Sequence, residues 1–148
     1  MIIHNKALVL VADGKRYLLL RNAGNLDKPV LVFEGGGEQE NPSTHEQGSD
    51  APGRAVSGNG TARSSMEQTD FHQLEEDRFA GEIAQMLGKL AAANDFAELI
   101  VVAPPRTLAE MRKKFDRKVA GKVVAEVPKD LTKHPVEEIA AILQRNGE

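Results

Sequence analysis

Two carboxylates close apolar runs: Asp13 follows Ala7–Ala12, and Glu34 follows Val30–Phe33. Acidic side chains at neighbouring strand ends are the groups that hold paired divalent metals for phosphodiester cleavage. Such a site needs a further carboxylate where the run Leu99–Ala103 ends, and Pro104-Pro105 stands there instead. Because Gly14 follows Asp13, the turn chemistry of a tight hairpin accounts for this pair more simply. His45, His72, Glu75 and Glu76 offer a second ligand set, with His72 and Glu75 three residues apart on one helical face. A solvated, acidic helix start explains the same residues, and no bound metal or cofactor is expected. Ser64, His72 and Asp70 supply the types of a nucleophilic triad, but no strand–turn–helix elbow surrounds the serine.

The strongest binding candidate is an anion site made from Gly58, Gly60, Arg54, Arg63 and Ser64. Backbone N–H groups around Gly58-Asn59-Gly60 and two guanidinium forks suit a phosphate or carboxylate. It is not a dinucleotide fingerprint, since no strand precedes it. A spacer with scattered charges has the same composition. Lys113, Lys114, Arg117, Lys118, Lys122, Lys129 and Lys133 form one basic concentration, without the interleaved aromatic residues that stack bases. A solvated helix face accounts for it.

Several elements must position these groups. Ala7–Ala12 reads as a strand buried on both faces, hence central. Arg16–Leu20 is its hairpin return and Pro29–Glu34 a third strand. Asp70 with Gln73 resembles a capping box for a helix to about Asn94, with a core stripe of Phe79, Ile83, Met86, Leu87 and Leu90. Leu99–Ala103 is a further buried strand. Thr107 and Glu110 mark a short helix, Val123–Val127 an edge strand, and Pro135 the first position of a terminal helix. The order β-β-β-loop-α-β-α-β-α, an antiparallel trio followed by right-handed crossovers, implies an α/β fold of ribonuclease H-like type. Its mixed five-stranded sheet is expected to be covered by helices.

Between about residues 35 and 69 periodicity vanishes. This long Gly-rich stretch after the third strand holds seven Gly and two Pro, with Val56 and Met66 as its sizeable apolar side chains. It is expected to be a flexible loop within a single domain spanning 1–148, and loops of this length in compact domains tend to be functional or disordered. The chain has no Cys, and its longest early apolar run is too short to span a bilayer. A cytoplasmic location is expected. A formal net charge of −3 argues against a general nucleic-acid coat.

Five segments carry a family resemblance: Asp50–Arg54, Gly60–Met66, Phe79-Ala80, Val102–Leu108 and Lys129–Pro135. In this order they resemble the bacterial host attachment protein family, which is similar to the middle domain of archaeal and eukaryotic peptide release factors. That domain presents a Gly-Gly-Gln loop, between a strand and a long helix, to the ester of peptidyl-tRNA. The corresponding residues here are Gly36, Gly37 and Gln39, with Glu38 intervening. The loop also carries five acidic residues, Glu38, Glu40, Glu46, Asp50 and Glu67, against Arg54 and Arg63, which disfavours a tRNA approach. The expectation is therefore a binding domain with no assigned catalytic residue, engaging a macromolecular partner, RNA or ribosome associated, through the loop. The resemblance also implies a role in host attachment, indirect for a protein without an export signal. A peptidyl-tRNA or RNA hydrolase of release-factor type is the alternative.

Overall fold

The computed structural model describes residues 1–39 and 61–146, with 61–70 described by their backbone. The described elements are β1 (Leu8–Ala12), β2 (Arg16–Asn22), β3 (Leu31–Glu38), α1 (Thr61–Ala92), β4 (Leu99–Val102), α2 (Pro105–Lys114), α3 (Arg117–Ala120), β5 (Val123–Val127) and α4 (Val136–Arg145). The strands form one mixed sheet in the order β3-β2-β1-β4-β5. The pairs β1–β2 and β2–β3 are antiparallel, while β1–β4 and β4–β5 are parallel. This is the expected ribonuclease H-like arrangement, with β1 at the centre and β5 at an edge.

Strand alternation divides the core into two layers. Leu8 and Leu10 of β1, with Leu99 and Val101 of β4, face Phe79, Ile83 and Leu87 of α1 and Met111 of α2. Val9 and Val11, with Ile100 and Val102, face Ile139 and Leu143 of α4. All five residues of β1 are buried, which is why it reads as a continuous apolar run rather than an alternating one.

Three boundaries differ from the sequence reading in ways that bear on the site. β3 continues through Gly35, Gly36 and Gly37, which pair with Leu19, Leu18 and Tyr17. Glycine usually weakens a strand, but a Cβ on Gly37 would lie 2.9 Å from the Tyr17 ring, and one on Gly36 2.7 Å from the Tyr17 carbonyl oxygen. The glycines let β2 and its aromatic side chain come close. α1 begins at Thr61 rather than Asp70, so Asp70 and Gln73 lie inside the helix and form no capping box. From Phe71 on, where side chains are described, the buried stripe starts at Phe79, and the sequence before it has no apolar periodicity. α2 starts at Pro105 with Pro104 as its N-cap, so Thr107 is internal and caps nothing.

Two caps complete the frame. Asn94, at φ 55°, ends α1: its N–H donates to the Ala91 carbonyl (3.0 Å), and that of Asp95 to Leu90 (2.9 Å). This is a Schellman closure with Asn in the left-handed position. The short helix α3, absent from the sequence reading, starts where the Asp116 carboxylate accepts the Val119 N–H (2.8 Å). Pro135 is the N-cap of α4 rather than its first helical residue.

Candidate functional site

The parallel strands β1, β4 and β5 end on one side of the sheet. Strand order runs outward from β1 towards β3 and from β4 towards β5, and a crevice at such a reversal is where open α/β sheets place ligands. Asp13 follows β1 there. Its Oδ1 accepts the N–H groups of Lys15 (2.7 Å) and Arg16 (2.8 Å), the local turn expected of Asp-Gly. Its Oδ2 accepts the Thr132 hydroxyl at 2.8 Å. The same hydroxyl lies 3.1 Å from Asp130 Oδ1, and with one proton it donates to one carboxylate at a time. Asp13 thus ties the β1–β2 turn to the β5–α4 connection.

Thr132 is 6% exposed, so replacing it with Val, similar in shape but without the hydroxyl, leaves Asp13 Oδ2 short of a donor. The expected cost is about 1–2 kcal/mol in chemical denaturation.

Glu34 lies elsewhere. It is the extra residue of the β2–β3 irregularity between Leu19 and Leu20. Its carboxylate accepts Arg21 Nε at 2.9 Å, while Arg21 Nη2 donates to Asp95 Oδ2 at 2.5 Å and Nη1 to the Asp95 carbonyl at 3.0 Å. Burial opposes the Arg21 charge, but the hydrogen bonds to Asp95 and Glu34 outweigh it and raise the guanidinium pKa. Glu34 therefore belongs to a clamp near the start of β1, and Asp13 to the opposite end of the sheet. The paired-metal arrangement considered for them is not assembled. Among the described residues no group of three or more His, Asp or Glu side chains suits a metal ion.

Gln39 follows β3 and closes the site. Its N–H donates to the Lys15 carbonyl (2.6 Å), and its side-chain Nε2 donates to the carbonyl (2.9 Å) and Oε1 (2.7 Å) of Glu75 on α1. Gly14 allows Glu76 to lie against the hairpin, because a Cβ at Gly14 would come within 2.9 Å of the Glu76 carboxyl carbon. Lys15, Gln39, His72, Glu75 and Glu76 line a cavity of about 330 Å³. The cavity can take a small polar group between one ammonium, an imidazole and two carboxylates. Beside it, Arg106 at the start of α2 donates to the Gln73 side chain, whose Nε2 reaches Asp77 at 2.9 Å.

His72, Glu75 and Glu76 do converge, whereas His45 lies outside the described residues. Gly36 and Gly37 are built into β3, and only Gln39 reaches the cavity. Arg54, Gly58 and Gly60 lie outside the described residues. Arg63 and Ser64 fall in the first turns of α1. Asp70 and His72 are two apart on that helix, a spacing that does not share a face. Of the basic concentration, Lys113 lies 3.4 Å from Glu110, and Arg112 beside it makes a two-point contact with Glu126 (2.6 and 3.2 Å). The hydrogen bond to Glu126, reinforced by its charge, raises the Arg112 pKa. Sequence reading missed Lys15, Asp130 and Thr132 as site residues. The last two lie 117 and 119 positions from Asp13, beyond any local signal, although Lys129–Pro135 carried part of the resemblance.

Fold and site together define a ribonuclease H-like α/β domain in which the Gln after a Gly-rich strand is hydrogen-bonded to a long helix. The sequence model of "bacterial archaeo-eukaryotic release factor family 12" matches residues 6–143, and the chain belongs to that family. No curated protein matches it. Among the described residues, no helix is long and apolar enough to cross a membrane.

Proposed function

We propose that this protein is a binding domain of release-factor type that engages the ribosome through residues 40–60, the first turns of α1 and the cavity beside Gln39, without hydrolysing a bound ester. The supporting observation is the state of Gln39. Both donor contacts of its carboxamide are spent on Glu75, and the preceding Gly36 and Gly37 are locked in strand pairing. A Gln that positions water at an ester needs its amide free for the reacting centre. In this reading Arg54, Gly58, Gly60, Arg63 and Ser64 supply contacts to ribosomal RNA phosphates, which makes binding salt-dependent. A cytoplasmic address suits that partner. The host-attachment role implied by resemblance is then an indirect consequence of altered translation.

Co-sedimentation with ribosomes tests this. The full chain is expected to pellet with ribosomes at low salt, and a variant with residues 42–58 replaced by a Gly-Ser stretch of equal length is expected to stay in the supernatant. Equal pelleting of the two would refute a role for this segment. Turnover of peptidyl-tRNA by the purified protein, abolished by Gln39→Ala, would overturn the non-catalytic reading in favour of a hydrolase.

A further inference from the structure

A second cleft, of about 510 Å³, opens at the other end of the sheet, where β1 begins and α1 ends. Lys6, Asn94, Phe96, Ala97, Glu98 and Lys122 contribute to its wall. Lys6 has φ 72°. The Ala7 N–H donates to the His4 carbonyl (3.1 Å), closing a turn with Lys6 in third place, a position that favours Gly or Asn because φ is positive. The turn is fixed by Lys6 N–H to the Asn22 carbonyl (2.7 Å) and by the Asn5 side chain to the Gly24 carbonyl (2.7 Å). The other positive-φ residue among those described, Asn94, is an ordinary helix terminator. Lys6 is held in this conformation by the turn contacts although it is neither Gly nor Asn, and strain of this kind gathers at functional sites.

The charges in the cleft are unequally committed. Asp95 is held by Arg21, which also binds Glu34, and Glu98 is held by His4 at 2.7 Å. Among the described residues neither Lys6 nor Lys122 has an ion-pair partner, and Lys122 Nζ stands 5.6 Å from the centre of the Phe96 ring. Among the described residues the two ammonium groups are thus the uncommitted charges of the lining.

The backbone adds donors. The consecutive N–H groups of Phe96, Ala97 and Glu98 find no acceptor among the described residues, although Phe96 is only 4% exposed. Ala97 is exposed and Glu98 half-buried, so these N–H groups are open to a water or an ion, and successive N–H groups in a turn can line an anion site. The C-terminal end of α1 disfavours an anion, but Asn94 and Asp95 cap its Ala91 and Leu90 carbonyls.

We infer that this cleft binds the phosphate group of a small ligand, held by the ammonium groups of Lys6 and Lys122 and the N–H groups of residues 96–98. Its volume suits a small molecule, and its aromatic ring is buried and gives nucleic-acid bases no stacking platform. The site lies at the opposite end of the sheet from the Gln39 cavity and does not depend on the ribosome reading.

The test is an amide NMR titration of the full chain with inorganic phosphate and, separately, ADP. Saturable shifts are expected at Phe96, Ala97 and Glu98. Tighter binding of ADP would identify a nucleotide as the phosphate source, and equal binding the free ion. Lys122→Gln should weaken binding roughly tenfold, the loss of one charge-assisted contact. Lys6→Gly should raise the melting temperature by relaxing the turn while weakening binding to a similar degree. Absence of saturable shifts with both probes overturns the inference. So does wild-type affinity in either variant, a lower melting temperature for Lys6→Gly, or saturation by single-stranded RNA alone.

Discussion

Asn22→Asp is expected to destabilise the protein by about 4 kcal/mol, read as a fall in the urea midpoint at neutral pH. Asn22 is completely buried, and all its capacity is used in opposite directions. Nδ2 donates to the carbonyls of Ile3 (2.9 Å) and His4 (3.1 Å), and Oδ1 accepts the N–H groups of Gly24 (2.8 Å) and Val30 (2.9 Å). One amide thus joins the N-terminal segment, the end of β2 and the entry to β3. A carboxylate keeps the two acceptor contacts but presents negative charge to two carbonyls it cannot donate to, in a site without solvent. Lowering the pH should recover part of the loss, because a neutral carboxyl donates once and burial favours that form. Asn22→Leu, which orphans all four groups without adding charge, should be pH-independent in this respect.

Phe79→Ala is expected to cost about 3–5 kcal/mol, a large share of the roughly 5–15 kcal/mol that holds a domain of this kind together. Phe79 is 4% exposed, and its ring centre lies 6.1 Å from that of Tyr17 at a tilt of 51°. Tyr17 in turn fills the space left by Gly37, so the ring supports the strand that delivers Gln39 to the cavity. Thermal and urea unfolding would read the loss. Phe79→Leu, which keeps most of the volume, should cost less than about 1.5 kcal/mol. Similar losses for both would mean that the aromatic pair, rather than the filled volume, supplies the stability.

The parts legible from sequence were those whose signal is burial. β1 and β4 announced themselves as short, wholly apolar runs, and the α1 stripe through Ile83 and Leu87 showed helical spacing. The mixed sheet followed from their order. Illegible parts depended on contacts between separate elements, or left no apolar pattern at all. Gly35–Gly37 look like loop residues until Tyr17 is placed beside them. The first turns of α1 carry no apolar periodicity, so their helical state left no pattern. Asp13 was correctly read as a turn residue, but nothing near it pointed to Thr132. Glu34 was read as a strand end, whereas β3 continues to Glu38 and Glu34 turns to Arg21.

The Thr132–Asp13 tie also bears on the order of assembly. The turn contacts of Asp13 with Lys15 and Arg16 span two and three residues and form within a local hairpin, while the contact to Thr132 closes 119 residues of chain. Loop-closure entropy places such a contact after the rate-limiting barrier rather than before it. Thr132→Val should therefore leave the refolding limb of a chevron almost unmoved and steepen loss of the native state through faster unfolding. In kinetic terms, the hydroxyl acts as a lock set after the sheet has closed.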